Sequence, residues 1–426
     1  MINTRIPTRE RARFAEINAI LSSCCGYLGE ATLTDSAVVI LFAGMLGAGD
    51  MFSMITTSLL PLFNGICVIP MAWFAAKFGS KRLILTSCTL SAIAYFLAVS
   101  SPYFGRFSAA VLLTMILLFA LCLTGFIAGW FPLLDTFLSS ERRTTFFSRM
   151  RFCHQLTATV FLFIAGAVIG KAPQIWALQL VLLIGAILFM GRALFIARIP
   201  VFPVQQPDAL GFSAGLSAAV ANKPLTGFSI YLFVVNLAAF GTVPLTMLYL
   251  KNSLHAPANV VVLISATALF GMLVGYLGAN GIIRRLGVTG SLVAFHLCFA
   301  LVNFALFFVG KGTTITYVLI ACLLLLYNGA IAAMSIVASA EMMALTRPGN
   351  KTMAMAFSGA FSYGGSGLSR LVTSLILGSG LLATQWHLGT MRVCYYQTLY
   401  LLFTAAVVFA AVFFLLLQPR QQSAAS

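Results

Sequence analysis

Twelve stretches of predominantly apolar residues, each about as long as a bilayer core is thick, recur along this chain and leave few folds open to it. They run over 15–44, 51–76, 83–101, 108–136, 152–170, 174–199, 225–250, 258–282, 288–310, 315–343, 353–379 and 394–417. A spanning helix needs roughly 20 such residues. Strands of a membrane barrel would alternate apolar and polar side chains, and these runs do not. With 61% hydrophobic residues, 8% charged residues and a mean hydropathy of +1.01, the chain reads as an all-α membrane protein with 12 transmembrane helices.

A net charge of +16 would suit a nucleic-acid binder, but its distribution speaks against one. Basic residues collect in alternate connections. They are Arg5 to Arg13 before the first run, Lys77, Lys81 and Arg82 after the second, and Arg142 to Arg151 after the fourth. Arg192, Arg198 and Lys223 flank the central connection, Arg284 and Arg285 follow the eighth run, Arg347 and Lys351 the tenth, and Arg420 the last. This is the positive-inside bias, and it puts both termini in the cytoplasm. The expected setting is the inner membrane of a bacterium, with no nucleic acid as partner.

The nine cysteines lie in or beside apolar runs without metal-ligand spacing, so they read as small packing residues, and no cofactor is implied. The stretch 200–224 is the least apolar interior segment and carries Pro203, Pro207, Asp208, Lys223 and Pro224. It reads as a cytoplasmic linker between a six-helix half over 1–199 and a second over 225–426. The halves echo one another. Ala72 to Arg82 follows the second run and Asn280 to Gly287 the eighth, while Asp135 to Arg149 and Glu341 to Lys351 follow the fourth and tenth. An offset of about half the chain is what a two-fold-related transporter predicts.

Twelve runs, a central linker and a Gly/basic loop after the second and eighth resemble the major facilitator superfamily. The best local match is Lys77-Phe-Gly79-Ser-Lys81-Arg82, similar to the superfamily's loop signature, with Ala72 and Ala76 where Gly and Asp are usual. Asp135 to Arg149 is similar to a second loop found in many bacterial members. The resemblance implies two pseudo-symmetric six-helix halves whose helices 1, 4, 7 and 10 line a central cavity. In that frame Lys77, Gly79, Lys81, Arg82, Asp135, Arg143, Glu341 and Arg347 are expected in loop or gate ion pairs.

Glu30 lies in the middle of the first run, where a carboxylate costs several kcal/mol and is a functional residue by default. At 100° per residue, Ser23, Tyr27, Glu30 and Thr34 share one face, and Glu16 extends it. Asp35 falls about 140° away and about 7.5 Å further along, so it faces elsewhere, toward a neighbouring helix or an outer vestibule. Asn236 holds the corresponding place in the second half. Asn328 aligns with Ser335 and Ser339 in the tenth run. Arg370, on a face with Tyr363, Ser366, Thr373 and Ser374, needs a carboxylate partner, and Glu30 and Asp35 are the acids at comparable depth. Tyr27, Glu30, Thr34, Asp35, Asn236, Asn328 and Arg370 are the substrate or proton-coupling candidates, although Asn236 and Asn328 suit interhelical bonding as well. His154 and His296 are candidates for proton relay, with packing the default for His296.

The leading functional reading is a monomeric secondary transporter of a small solute, working by alternating access and coupled to protons or another ion through Glu30. A multidrug/proton antiporter is the alternative. The acid in helix 1 resembles those exporters, but Ala165 to Gly170 lacks the proline usual in their helix 5 signature. An uncoupled facilitator is a further one. An enzyme is not expected: the four histidines are scattered, no nucleophile-base cluster is visible, and no phosphate-binding loop of the Gly-x-x-x-x-Gly-Lys-Ser/Thr type occurs.

Overall fold

The computed structural model describes residues 9–138, 140–200, 202, 211–346 and 350–417, and among them the architecture is helical apart from one small hairpin. The first set comprises α1 (Arg9–Thr34), α2 (Ala37–Met45), α3 (Asp50–Phe78), α4 (Ser80–Val99), α5 (Ser108–Asp135), α6 (Ser140–Val168) and α7 (Ile175–Arg198). A short helix α8 (Phe212–Val220) follows. The second set comprises α9 (Lys223–Ala239), α10 (Thr242–Asn252), α11 (Ala258–Phe307), α12 (Thr314–Leu345), α13 (Lys351–Ser379) and α14 (Tyr395–Leu417).

All twelve apolar runs fall on these helices. Nine helices among the described residues are long and apolar enough to span, or ten if α1 and α2, bent by 42° at their junction, count as one. The 50-residue α11 holds two of the runs and breaks at Gly287, whose φ of 69° suits a residue without a Cβ. Gly79, at φ +88°, makes the same kind of corner between α3 and α4, which explains the glycine in that loop.

The first and seventh runs are both broken midway, where straight spans were expected. α1 ends at Thr34, and Ser36 caps α2 by accepting a bond from the Val38 N–H at 3.2 Å. Hydroxyl and carboxyl side chains there offer the backbone partners other than the helical ladder. The corresponding break, between α9 and α10, comes at Phe240 and Gly241. It is braced by the Tyr327 hydroxyl donating to the Ala239 carbonyl at 2.7 Å. From Asp35 to Phe240 is 205 positions, close to the offsets of the loop echoes.

Within the first set α1 packs on α6 and α7, and α4 on α5 and α7. Within the second, α11 packs on α12 and α14, and α9 on α13 and α14. The sets meet along two seams, α3 against α13 and α6 against α11. Small residues permit the first seam: a Cβ on Gly367 would lie 2.4 Å from the Leu62 backbone nitrogen, and one on Gly65 2.6 Å from Gly364. Between α13 and α14, β1 (Gln385–Leu388) pairs antiparallel with β2 (Met391–Cys394), an element the sequence did not announce. Its Trp386 donates to the Thr398 hydroxyl at 2.8 Å. All nine cysteines are unpaired.

Candidate functional site

Glu30 is held from within its own set. Its Oε2 lies 3.0 Å from Nη2 of Arg192 on α7, and its backbone carbonyl accepts from the Thr34 hydroxyl at 2.8 Å. The Arg192 side chain is only 2% exposed, and the Glu30 side chain 20%. The positive-inside reading counted Arg192 among the basic residues flanking the central connection, although the apolar run over 174–199 contains it. α7 continues to Arg198, which places Arg192 about 9 Å inside the helix end. Gly26 on α1 makes the room, since a Cβ there would sit 1.5 Å from Arg192 Nε. The guanidinium also lies over the Phe126 ring of α5 at 4.1 Å. Its Nε and Nη1 are buried with no hydrogen-bond partner among the described residues.

Arg370, for which the sequence offered Glu30 and Asp35 as partners, pairs with Asp35. Nη1 lies 2.6 Å from Asp35 Oδ1 and donates to the Thr57 carbonyl at 2.7 Å, while Nε donates to the Phe240 carbonyl at 3.3 Å. One side chain of α13 thus joins the break in the first run, α3 and the break in the seventh. Glu30 lies within α1 and Asp35 past its last residue, so the two acids serve two arginines on different elements. Beyond this tie, toward the end of the molecule away from the termini, Asp50 at the start of α3 accepts from Asn252 at 2.5 Å, from Tyr395 at 3.1 Å and from Tyr396. Ser374 donates to the Met51 carbonyl at 2.8 Å, and Ser265 accepts from the Ala37 N–H at 3.2 Å. These contacts close the two sets against one another at that end.

Nearer the middle, Tyr27, Glu30, Arg151, His154 and Tyr276 each keep part of their surface accessible, which leaves a narrow gap between the sets. Tyr27 of α1 packs on His154 of α6, with ring centroids 4.5 Å apart, and its hydroxyl faces Gln155. Arg151 of α6 reaches across to α11, its guanidinium 5.7 Å from the Tyr276 ring centre. Tyr363 of α13 lies within electrostatic reach of both Glu30 and Arg151 yet is 37% exposed, so it stands on the wall of the gap. At the termini side, Arg9, Arg13, Arg142 and Arg149 line a recess of about 330 Å³.

The remaining candidates divide. Asn236 does not stand free opposite Glu30: its Nδ2 donates to the Ser362 carbonyl at 3.0 Å and hydroxyl at 2.8 Å, tying α9 to α13. Asn328 donates to the Leu324 carbonyl at 3.0 Å. Asp135 and Arg143 form an exposed pair at 2.7 Å, and Glu16 pairs with Arg142 at 2.8 Å. Lys81 donates to the carbonyls of Ala197 and Ile199 at 2.9 and 2.6 Å, closing the C-terminus of α7. Lys77 lies over the rings of Trp73 and Phe78, and Arg82 is exposed. Glu341 is half-buried near the end of α12; Arg347, its neighbour in the expected gate, lies outside the described residues. His296 is buried between Tyr231 and Phe414, a packing position. Among the described residues no group of three or more His, Cys, Asp or Glu side chains is placed to hold a metal ion.

Sequence reasoning missed Arg192, Arg151 and Tyr276. The two arginines sat near the ends of apolar runs and were absorbed into the loop charge. The available signal was angular: Arg192 falls on the α7 face that carries buried Gly185, Phe189 and Ile196.

Two sets of apolar helices around a polar gap define a membrane transporter. The sequence profile of the Major Facilitator Superfamily matches residues 19–369, and the chain belongs to that family. No curated protein matches it. Solved structures do: a point mutant of the nucleoside transporter NupG has 17% identity and a TM-score of 0.72, over 96% of this chain and 100% of that one. A bacterial homologue of the iron transporter ferroportin, in an inward-facing state, has 14% identity and a TM-score of 0.66 over 96% and 99%. A POT family transporter in complex with 5-aminolevulinic acid has 11% identity and a TM-score of 0.69 over 97% and 96%. At such identities the likeness is one of fold.

Proposed function

We propose that this chain is a secondary active transporter of a small solute, working by alternating access between a half over 1–199 and a half over 225–426, with Glu30 as the site of proton coupling. The observation that carries the reading is the placement of Glu30: held by Arg192 within one half, yet with 20% of its side chain still exposed among residues of the bundle interior. Because both partners move with the same half, protonation of Glu30 need not break any bond that closes the molecule. It releases instead a buried guanidinium with two further unpartnered donors, and so changes the charge that the gap presents.

The closing ties belong to other residues: Arg370 with Asp35, and Asp50 with Asn252 and the two tyrosines. The termini-bearing face is assigned to the cytoplasm, because the loop arginines and lysines gather there. The shape is then closed to the outside, and a single copy carries the whole path.

The test is solute-driven proton movement in proteoliposomes, screened over nucleosides, sugars, amino acids and organic acids. Glu30→Gln is expected to abolish net coupled proton flux by tenfold or more while solute counterflow persists. Proton movement of unchanged size in Glu30→Gln would overturn the coupling role. Solute flux that is pH-independent in both forms would instead identify an uncoupled facilitator.

A further inference from the structure

The gap has a charge imbalance. Glu30 is matched by Arg192, whereas Arg151, which projects from α6 toward α11, has no carboxylate within ion-pair distance among the described residues. Its nearest companions are neutral rings: Tyr276 beneath its guanidinium, with His154 and Tyr363 within electrostatic reach. A partly buried guanidinium in a membrane protein needs an anion, a set of carbonyls or water. Here it has a π-face, which leaves its fork of donors available for a carboxylate or phosphate.

The walls around it are flat. Tyr27 and His154 present one aromatic surface from the first half, and Tyr276 and Tyr363 present two more from the second. The Tyr27 and Tyr276 hydroxyls are oriented by Gln155 and Ser335, which leaves the faces of their rings as the contact surfaces. Four more arginines line the recess at the termini side, and among the described residues only Arg142 of these is in an ion pair, with Glu16. Such a mouth raises the local concentration of anions and depletes cations.

We propose that the solute taken by this site is an organic anion that carries a planar ring, its carboxylate or phosphate group bound by Arg151 and its ring held between the Tyr27–His154 pair and Tyr276 and Tyr363. The assignment rests on the transport reading above and narrows it to a substrate class. Arg151 touches both halves of the path, so a bound anion would be shared between them.

The test uses the purified full-length protein in detergent, with thermal unfolding as the readout. The probes are benzoate, phenyl phosphate, benzamide, benzylamine and hexanoate, each at millimolar concentration. Benzoate, phenyl phosphate or both are expected to raise the unfolding temperature by several degrees, and the other three not. Which of the two acts separates a carboxylate from a phosphate solute. Arg151→Gln should weaken the effect at least tenfold, Arg151→Lys should retain part of it, and Arg106→Gln in the far-side connection should leave it unchanged.

A larger shift from benzylamine, an equal shift from hexanoate, no shift from either ring anion, or full retention in Arg151→Gln would each overturn the assignment. If Arg151→Gln fails to fold, the comparison of charges in the unaltered protein still decides. The two readings fail separately. Glu30-dependent proton flux driven by benzylamine would keep the transport reading and overturn the anion. Arg151-dependent benzoate binding without any solute flux would do the reverse.

Discussion

Glu30 and Arg192 form the buried pair on which the proposed coupling turns, and its strength follows from burial. Removing one member of a buried pair leaves the other charge uncompensated, at a cost of about 3–5 kcal/mol, whereas removing both together is far milder. Arg192→Gln is therefore expected to destabilise the protein less than that range only to the extent that Glu30, 20% exposed, finds water. The double change Arg192→Gln with Glu30→Gln is expected to recover more than half of the loss. A double-mutant cycle from unfolding titrations in mixed micelles measures this, and strictly additive effects would show that the two side chains do not interact. Glu30 was legible in the sequence because an acid among apolar residues stands out. Arg192 was not: the apolar run over 174–199 contains it, but counting basic residues by side of the membrane assigned it to the adjoining connection. Asp35 and Arg370 were both singled out with Glu30 as the competing partner, and the choice between the two acids is made by the break after Thr34, which leaves Asp35 beside α13.

Helices were the most readable objects, since every apolar run falls on helix, but their interruptions were not. The breaks after Thr34 and Ala239 depend on a serine cap and on carbonyls bonded by side chains remote in sequence, none of which periodicity detects. The β1–β2 hairpin is similarly short and lacks the apolar alternation that marks a strand. Helix contacts, by contrast, leave a trace in the glycines. Gly271 and Gly275 lie one turn apart on α11, where a Cβ would come within 2.3 Å of the Leu325 carbonyl and 2.1 Å of the Gly329 carbonyl on α12. Backbones that close exclude any larger residue, as at other small-residue crossings in membranes. Gly278, on the same helix, has nothing within 4 Å of its Cβ position. Gly275→Val is thus expected to separate α11 from α12 and to cut the yield of monodisperse protein severalfold. Gly278→Ala is expected to be neutral or to stabilise by about 0.5–1 kcal/mol through helix propensity alone. Size-exclusion profiles and unfolding temperatures read both. Equal behaviour of the two variants would refute the close crossing.

At the scale of the molecule, the linker and the loop echoes led to the expectation of two halves, while nothing in the sequence pointed to the end at which the two helix sets close. Which end is closed depends on contacts between residues some 200–350 positions apart, such as Asp50 with Tyr395 and Met51 with Ser374, and no local pattern encodes them. That closure can be locked. A Cβ placed on Gly378 would lie 3.1 Å from the Met51 Cβ, near the separation a disulfide bridges, and the residues belong to different halves. In a background without the nine native cysteines, Met51→Cys with Gly378→Cys is expected to oxidise readily and to stop transport. Alternating access requires this seam to part once in every cycle. Reduction should restore transport to the rate of the uncrosslinked protein, and either single cysteine alone should be insensitive to oxidant. The measurement is solute counterflow in proteoliposomes, with thiol labelling to establish that crosslinking is complete. Undiminished counterflow in the fully crosslinked protein would mean that the Met51–Gly378 contact does not open during transport. The parting of the halves would then have to be sought at the termini side alone.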